Sequence, residues 1–251
     1  LTAYAVGESD SITESEASWD QVSLTAKKWA TLTRYTSEVD EDAAISIGDW
    51  LAGEIAYAFA NKEDDCGFNG DGTSTYHGVY GVRSIVGSAG IYTGGGGATG
   101  NETWNSLTLA DHHNTMGLLP QYAYVRSTPK WYCSRAYFAT VMQRLAYAGG
   151  GNTVDLIQGG DGMSFLGYPV VLSESWPQAT AVSTNSCGFG ALELATTMGD
   201  RRGVTIATSQ DRYFDSDEIA IRGTTRWDIN CHDLGDSSNA GAFVILRTAD
   251  S

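Results

Sequence analysis

The chain has 251 residues, 42% of them hydrophobic and 18% charged, a globular composition with enough apolar mass for one large domain or two modest ones. Fifteen Lys and Arg stand against thirty Asp and Glu, a net charge of −15, which excludes a nucleic-acid reader with a basic stripe and repels anionic membranes or packed nucleic acid. No apolar run reaches the roughly 18 residues of a membrane span, and no cleavable signal is visible.

Residues 1–29 are polar and extended, with Glu8, Asp10, Glu14, Glu16 and Asp20 leaving too little apolar content for a core. Val22, Leu24 and Ala26, then Trp29, Leu32 and Tyr35, favour strands. The expectation is a long two-stranded excursion with its tip at 5–20 and stems at 1–5 and 21–36. A disordered acidic tail is the alternative. A two-stranded ribbon is marginal alone, so it should lie on a neighbouring subunit. Trp19 is the candidate anchor there; a Trp folded back on its own body is the competing reading. The chain opens on Leu1 where an initiator Met would stand, which fits a processed, truncated or incompletely given polypeptide.

A single spine helix is expected from Ser37 to about Asn61. Ser37 offers an N-cap with Asp40 at N3, and Glu38, Asp40, Glu41 and Asp42 crowd the first turn, where the dipole favours negative charge. Val39, Ala43, Ile47, Leu51, Ile55 and Phe59 recur every four residues and draw one apolar stripe along about 36 Å.

The cluster Gly67, Asn69, Gly70, Asp71, Gly72 is turn chemistry. It lacks the ligand order and distal Glu of a calcium loop. Gly94–Gly97 reads as a surface loop, since no phosphate-cradling motif surrounds it. Residues 107–118 read as a short helix stopping near Pro120. Its adjacent His112 and His113 point about 100° apart, so both read as solvated or core histidines. Residues 121–134 read as an apolar strand leading to a cap at Ser134. A helix over 135–148 follows, carrying Phe138, Val141, Met142 and Leu145, then a loop over 149–162 around a short apolar run.

SFLGYPVVLSESWP reads as a buried strand ending in a turn, and CGFGALELATTMGDRRGVTIATS as two strand-like runs about a glycine-rich bend. Residues 218–232 and 241–247 are further strands. Cys66, Cys133, Cys187 and Cys231 have no CxxC spacing and read as reduced core thiols. Helices and strands that do not alternate regularly point to an α+β fold. No GxSxG elbow, HExxH pair or framed carboxylate pair is present, so no catalytic residue, metal ligand or cofactor is expected.

Four stretches in order carry a family resemblance: the acidic arm; TLTRYTSEVDEDAAISIGDWLAGEIAYAFANKEDDCGFNGDGTSTYHGV, with its N-G-D-G-T turn after a helix; SFLGYPVVLSESWP; and GFGALELATTMGDRRGVTIATSQDRYFDSDEIAIRGTTRWD. Together they resemble the major capsid protein of tailed bacteriophages, the Hong-Kong-97-like (Johnson) fold also used by encapsulin shells. The resemblance implies an E-loop with its stem strands at 1–36, a P-domain spine helix and following turn at 37–75, and an A-domain at 76–202. It further implies P-domain long strands at 203–232 and a C-terminal strand returning to the body at 233–251. By the same resemblance Glu8, Asp10, Glu14, Glu16 and Trp19 are inter-subunit contacts, and Gly149, Gly150, Gly151, Gly159 and Gly160 lie near a capsomer axis.

The implied function is the head protein of a tailed phage, self-assembling into pentamers and hexamers of an icosahedral shell around double-stranded DNA. The implied partners are itself, a portal, a scaffold or protease, decoration proteins, and DNA held without sequence-specific binding; no membrane is involved. The implied location is the virion, assembled in the host bacterial cytoplasm, with much of the acidity lining surfaces near the DNA. Family members often begin with a scaffolding segment that a protease removes and an N-terminal arm, neither of which is evident before Leu1. Some members weld their shells by a Lys–Asn isopeptide bond. Here residues 7–20 hold no Lys and Asp217 stands at the acceptor position, so no covalent cross-link is expected. A cargo-enclosing encapsulin of the same fold is the first alternative. A secreted Gly-rich β-containing hydrolase, monomeric with a defined cleft, is the alternative from a different class.

Overall fold

The computed structural model describes residues 3–8, 10–12, 14–16, 21–97, 101–148 and 163–250. Strand β1 (Lys27–Thr36) alternates half-buried and exposed residues along most of its length, the period-two signature of a strand with one covered face. It runs straight into a short helix, α1 (Ser37–Asp42), whose N-cap position is Thr36 with no side-chain cap. The chain is extended at Ala43, and the long helix α2 (Ile47–Asn69) starts afresh after Ser46, whose hydroxyl accepts from the Asp49 N–H at 3.4 Å.

The expected single spine from Ser37 to Asn61 is therefore corrected. Ser37 is the first helical residue rather than the cap, and the true spine begins ten residues later, at Ile47, and ends eight later, at Asn69. Two physical reasons account for the shift. Glu38 faces Glu41 and Asp42 at repulsive i+3 and i+4 spacings, and Asp42 meets the negative end of the dipole. Ser46 with Asp49 three residues on offers a competing start.

Beyond the Gly70 turn come α3 (Val82–Ile85), β2 (Ile91–Thr93), α4 (Leu109–Leu118) and α5 (Gln121–Arg126). Then follow β3 (Lys130–Cys133) and α6, a helical run over 135–148 that widens to a π turn at Phe138–Met142. The α4 helix opens on a capping box between Thr108 and Asp111. Residues 121–126 are helical, not strand. Pro120 precedes the turn, Ala123 is fully buried, and Tyr124 packs on Tyr168 and Phe189, so tertiary contacts override the β preference of Tyr and Val.

The expected buried strand in SFLGYPVVL is instead a hairpin of β4 (Ser164–Phe165) and β5 (Tyr168–Leu172). Both turn residues, Leu166 and Gly167, take positive φ (52° and 82°), the geometry two-residue hairpins require. Next are β6 (Asn185–Gly190), a single helical turn α7 (Leu192–Ala195), the long β7 (Thr196–Tyr213), β8 (Glu218–Cys231) and β9 (Phe243–Arg247). The boundary expected at 202/203 falls inside β7.

The strands form two sheets. A six-stranded sheet has the order β2-β9-β6-β3-β5-β4, and a three-stranded one the order β1-β8-β7. Phe243, Val244, Ile245 and Leu246 of β9 are all fully buried, because that strand is central and covered on both faces. The main core gathers around it with Trp131, Tyr137, Val141, Phe189 and Trp176. In the second sheet β1 pairs with β8 in unbroken antiparallel register from Lys27↔Trp227 to Thr36↔Glu218. The expected ribbon pairing 1–5 with 21–36 is corrected: residues 3–7 form no strand, and β8 takes the ladder of β1.

Helix α2 lies on this sheet through two small clusters. Ile55 and Phe59 meet Ile221, while Cys66 and Val79 meet Trp227. Gly223 permits the close approach, for a Cβ there would lie 2.5 Å from Ile55 and 3.0 Å from Phe59. Of the expected apolar stripe only Ile55 and Phe59 are buried, and Val39 is 49% exposed. All four cysteines are free thiols, three of them buried.

Candidate assembly interface

A compact monomer of 26.8 kDa would expose about 10,800 Å²; this chain exposes 14576 Å², about a third more. One part of the chain that stands open is strand β7. From Asp200 to Arg212 every residue of β7 is exposed, so this stretch is covered on neither face, and among the described residues no strand pairs with its outer edge. Such an edge is a template for another chain.

Apolar groups decorate the same region. Phe214 at the hairpin tip is 87% exposed, and Met198, Val204 and Ile206 lie open along β7. Ile45, Trp50 and Tyr57 stand out from the spine and the turn before it. Exposed aromatic and aliphatic groups on an extended framework are the material of a protein interface.

Where β7 leaves the body, carboxylates gather. Burial, then the charges of Asp200 and Asp64, hold the Glu63 carboxyl above its ordinary value. An apolar groove of about 220 Å³ beside it is lined in part by Gly67, Phe68, Val82 and Met198. On the other flank Lys62 pairs with Asp65 at 2.9 Å and sits 4.5 Å from the Tyr76 ring centre.

Glu8, Asp10, Glu14 and Glu16 are all exposed, and none is in an ion pair among the described residues. Trp19 lies outside the described residues, as do Gly149, Gly150, Gly151, Gly159 and Gly160. Asp217 takes a left-handed conformation (φ 49°) at the β7–β8 tip. Its backbone carbonyl accepts from the Ser37 N–H at 3.1 Å, and its carboxylate accepts from the Ser37 hydroxyl.

The cations of the second sheet belong to no sequence motif. The register places Lys28 opposite Arg226, and Arg226 opposite Arg202, so three cations share one row across three strands. Arg222 stands two rows on, between Leu32 and Ala207. All lie on the face away from α2, because the alternate residues Ile221, Gly223 and Trp227 face the helix. The alternation of Lys28, Leu32, Arg34 and Arg222, Thr224, Arg226 was legible; which strands become neighbours was not.

Among the described residues no group of three His, Cys, Asp or Glu is placed to hold a metal ion. No helix among them is long and apolar enough to cross a membrane.

Comparison with known proteins yields one family and one fold. The family model described as "Phage capsid family" matches residues 1–233. No curated protein matches the sequence. A solved "capsid of native GTA particle computed with C5 symmetry" superposes at TM-score 0.74 with 18% identity, covering 99% of this chain and 81% of its own. A structure from Mycobacterium phage Ogopogo gives 0.65 at 17% identity, over 99% of this chain and 83% of its own. The holo-SrpI encapsulin complex of Synechococcus elongatus PCC 7942 gives 0.58 at 11% identity, over 90% and 74%. At these identities the likenesses establish the fold, an α+β capsid fold of the Hong-Kong-97-like type.

Proposed function

This chain belongs to the phage capsid family, and from that premise we propose that it is the head protein whose copies tile a closed icosahedral shell as pentamers and hexamers around double-stranded DNA. It is a structural protein, and its work is adhesion to copies of itself. The observation that carries the reading is the surface: 14576 Å² on a chain whose compact equivalent would expose about 10,800 Å². Obligate interfaces commonly bury more than about 2,000 Å², and the bare hairpin, arm and spine offer that area.

In this reading residues 1–36 serve as the E-loop and its stems, with Glu8, Asp10, Glu14, Glu16 and Trp19 touching a neighbour. Residues 37–75 and 203–232 make the P-domain, 76–202 the A-domain, and 233–251 the strand returning to the body. The glycines at 149–151 and 159–160 stand near a capsomer axis. A portal, a scaffold or protease, and decoration proteins act on the shell in the host bacterial cytoplasm. Much of the −15 charge keeps DNA from adhering to the wall.

Sizing chromatography with negative-stain microscopy of the expressed chain tests this. Large isometric particles are expected. A 26.8 kDa monomer that turns over hydrolase substrates overturns it in favour of an enzyme. The encapsulin alternative rests on the weaker likeness, 0.58 against 0.74. Particles isolated from an infected host and filled with protein instead of nucleic acid would establish it.

A further inference from the structure

We propose that Cys133 and Cys187 form a cross-strand pair that closes to a disulfide in an oxidising medium and braces β3 against β6 within the six-stranded sheet. The pair lies in the body of a single chain and is independent of the shell reading. Both cysteines are free thiols, and both are fully buried.

Strand register brings them together. β3 and β6 run antiparallel, with Lys130 opposite Gly190, Trp131 opposite Phe189 and Tyr132 opposite Gly188. The next step of that ladder sets Cys133 opposite Cys187, and both strands include those residues. The Trp131 and Phe189 rings share one face, with their centroids 4.6 Å apart. Two residues further along each strand the side chains return to that face, which puts both thiols on it. Burial, then the neighbouring Cys187, pushes the Cys133 thiol up. Burial, then both cysteines, likewise holds the Tyr137 hydroxyl well above its ordinary value, so the three groups are neighbours.

The backbone spacing suits the bond. Opposed residues of an antiparallel pair have Cα atoms about 4.5–5.5 Å apart, and a disulfide spans about 4.4–6.8 Å. Their Cβ atoms stand about 4.5–5.5 Å apart against roughly 3.5–4.5 Å in the bond, so the strands draw in slightly. A register shift between Asn185 and Cys187 lies on the β9 side of the site, where β6 is already irregular and takes up that movement.

The surroundings make the closure slow. The Tyr137 hydroxyl is hydrogen-bonded to the Cys187 sulfur and lies 3.0 Å from the His112 Nε2. Burial drives the Cys187 thiol up to about 12, and the Tyr137 contact opposes this without cancelling it. The thiolate is the attacking species, so exchange waits on local opening of the sheet. With oxidised glutathione as the oxidant, one protein thiolate attacks its sulfur–sulfur bond and releases one glutathione. The second protein thiolate then attacks the protein sulfur of the mixed disulfide and expels the other glutathione. The two protein thiols give up two protons and two electrons, and the oxidant leaves as two glutathione thiols.

The test incubates the full-length chain with oxidised glutathione, blocks remaining thiols with N-ethylmaleimide in denaturant, and maps the peptides by mass spectrometry without reductant. A second sample is refolded from urea in the same buffer, where burial does not limit access. The expected product is one linked peptide pair holding Cys133 and Cys187, formed slowly in the native chain and readily on refolding. The bond encloses residues 134–186, a loop of about 50 residues, so the oxidised chain should melt about 5–10 °C higher, and dithiothreitol should abolish the difference. C133A and C187A should each lack both the link and the gain.

Absence of the link from both samples overturns the pairing. So does glutathione retained as a stable adduct on either cysteine, or a bond from either to Cys66 or Cys231. A link that leaves the melting temperature unchanged or lower overturns the brace.

Discussion

Ser37, the first residue of α1, is bound to Asp217, at the tip of the β7–β8 hairpin, by its backbone N–H and by its hydroxyl. The contact spans 180 residues of sequence and pins the far end of β8 to the point where β1 becomes helix. Asp217 holds a left-handed backbone at φ 49°, a conformation that Asp, Asn and Gly tolerate and most residues resist by about 1–2 kcal/mol.

Asp217→Ala should therefore lose about 1–2 kcal/mol of stability, and Asp217→Asn should stay near wild type because its amide oxygen can accept the same hydroxyl. Urea unfolding of the two variants beside the wild type reads this. Equal loss in both would assign the effect to the carboxylate charge instead of the conformation and the accepting oxygen.

The same residue bears on covalent chemistry. An isopeptide needs an amine and an amide acceptor; residues 7–20 offer no Lys, and Asp217 is a carboxylate already engaged with Ser37. Particles boiled in denaturant should run as a single band at 26.8 kDa. A ladder of multimers would prove the expectation wrong.

Gly223 and Gly53 make an opposed pair. A Cβ at Gly223 would press 2.5 Å from Ile55, whereas one at Gly53 on the exposed side of α2 meets nothing within 4 Å. Gly223→Ala should destabilise by about 1–3 kcal/mol through overpacking, and Gly53→Ala should stabilise by about 0.5–1 kcal/mol through helix propensity. Opposite shifts in melting temperature are expected; shifts of the same sign would contradict the packing of the spine on β8.

Burial among Trp131, Phe165 and Tyr137 pushes the His112 imidazole down to about 4 from its ordinary 6.5. The Thr108 carbonyl and Asp111 oppose the shift without cancelling it. Between those values the unfolded chain binds the proton and the folded chain does not. Stability is thus full above about pH 6.5 and falls toward pH 4, by up to about 3 kcal/mol. His112→Gln should flatten that window in denaturant titrations run at successive pH. An unchanged slope would assign the acid sensitivity elsewhere.

Much of the fold was legible because it is local. The long helix, the alternating run of β1, the short helix within 107–118, the Ser134 start of α6, and the N-G-D-G turn after α2 each depend on neighbours within a few residues. The errors arose where two local solutions compete. Ser37 and Ser46 both offer a cap, and the like charges crowded at 38–42 together with the Ser46–Asp49 bond favour the second. Tyr122–Val125 favours a strand by composition, yet Tyr124 finds Tyr168 and Phe189 only as a helix.

Composition and residue order by themselves determined that this polypeptide is acidic and globular with an unusually long helix, and that its N-terminal 26 residues bear negative charge alone. Only the tertiary structure decided that β8 lies between β1 and β7, which brings Lys28, Arg226 and Arg202 into one row and joins Ser37 to Asp217. The physical reason is range. Capping and periodicity act across one or two turns, whereas strand pairing closes loops of nearly two hundred residues and is chosen by burial of the whole surface at once.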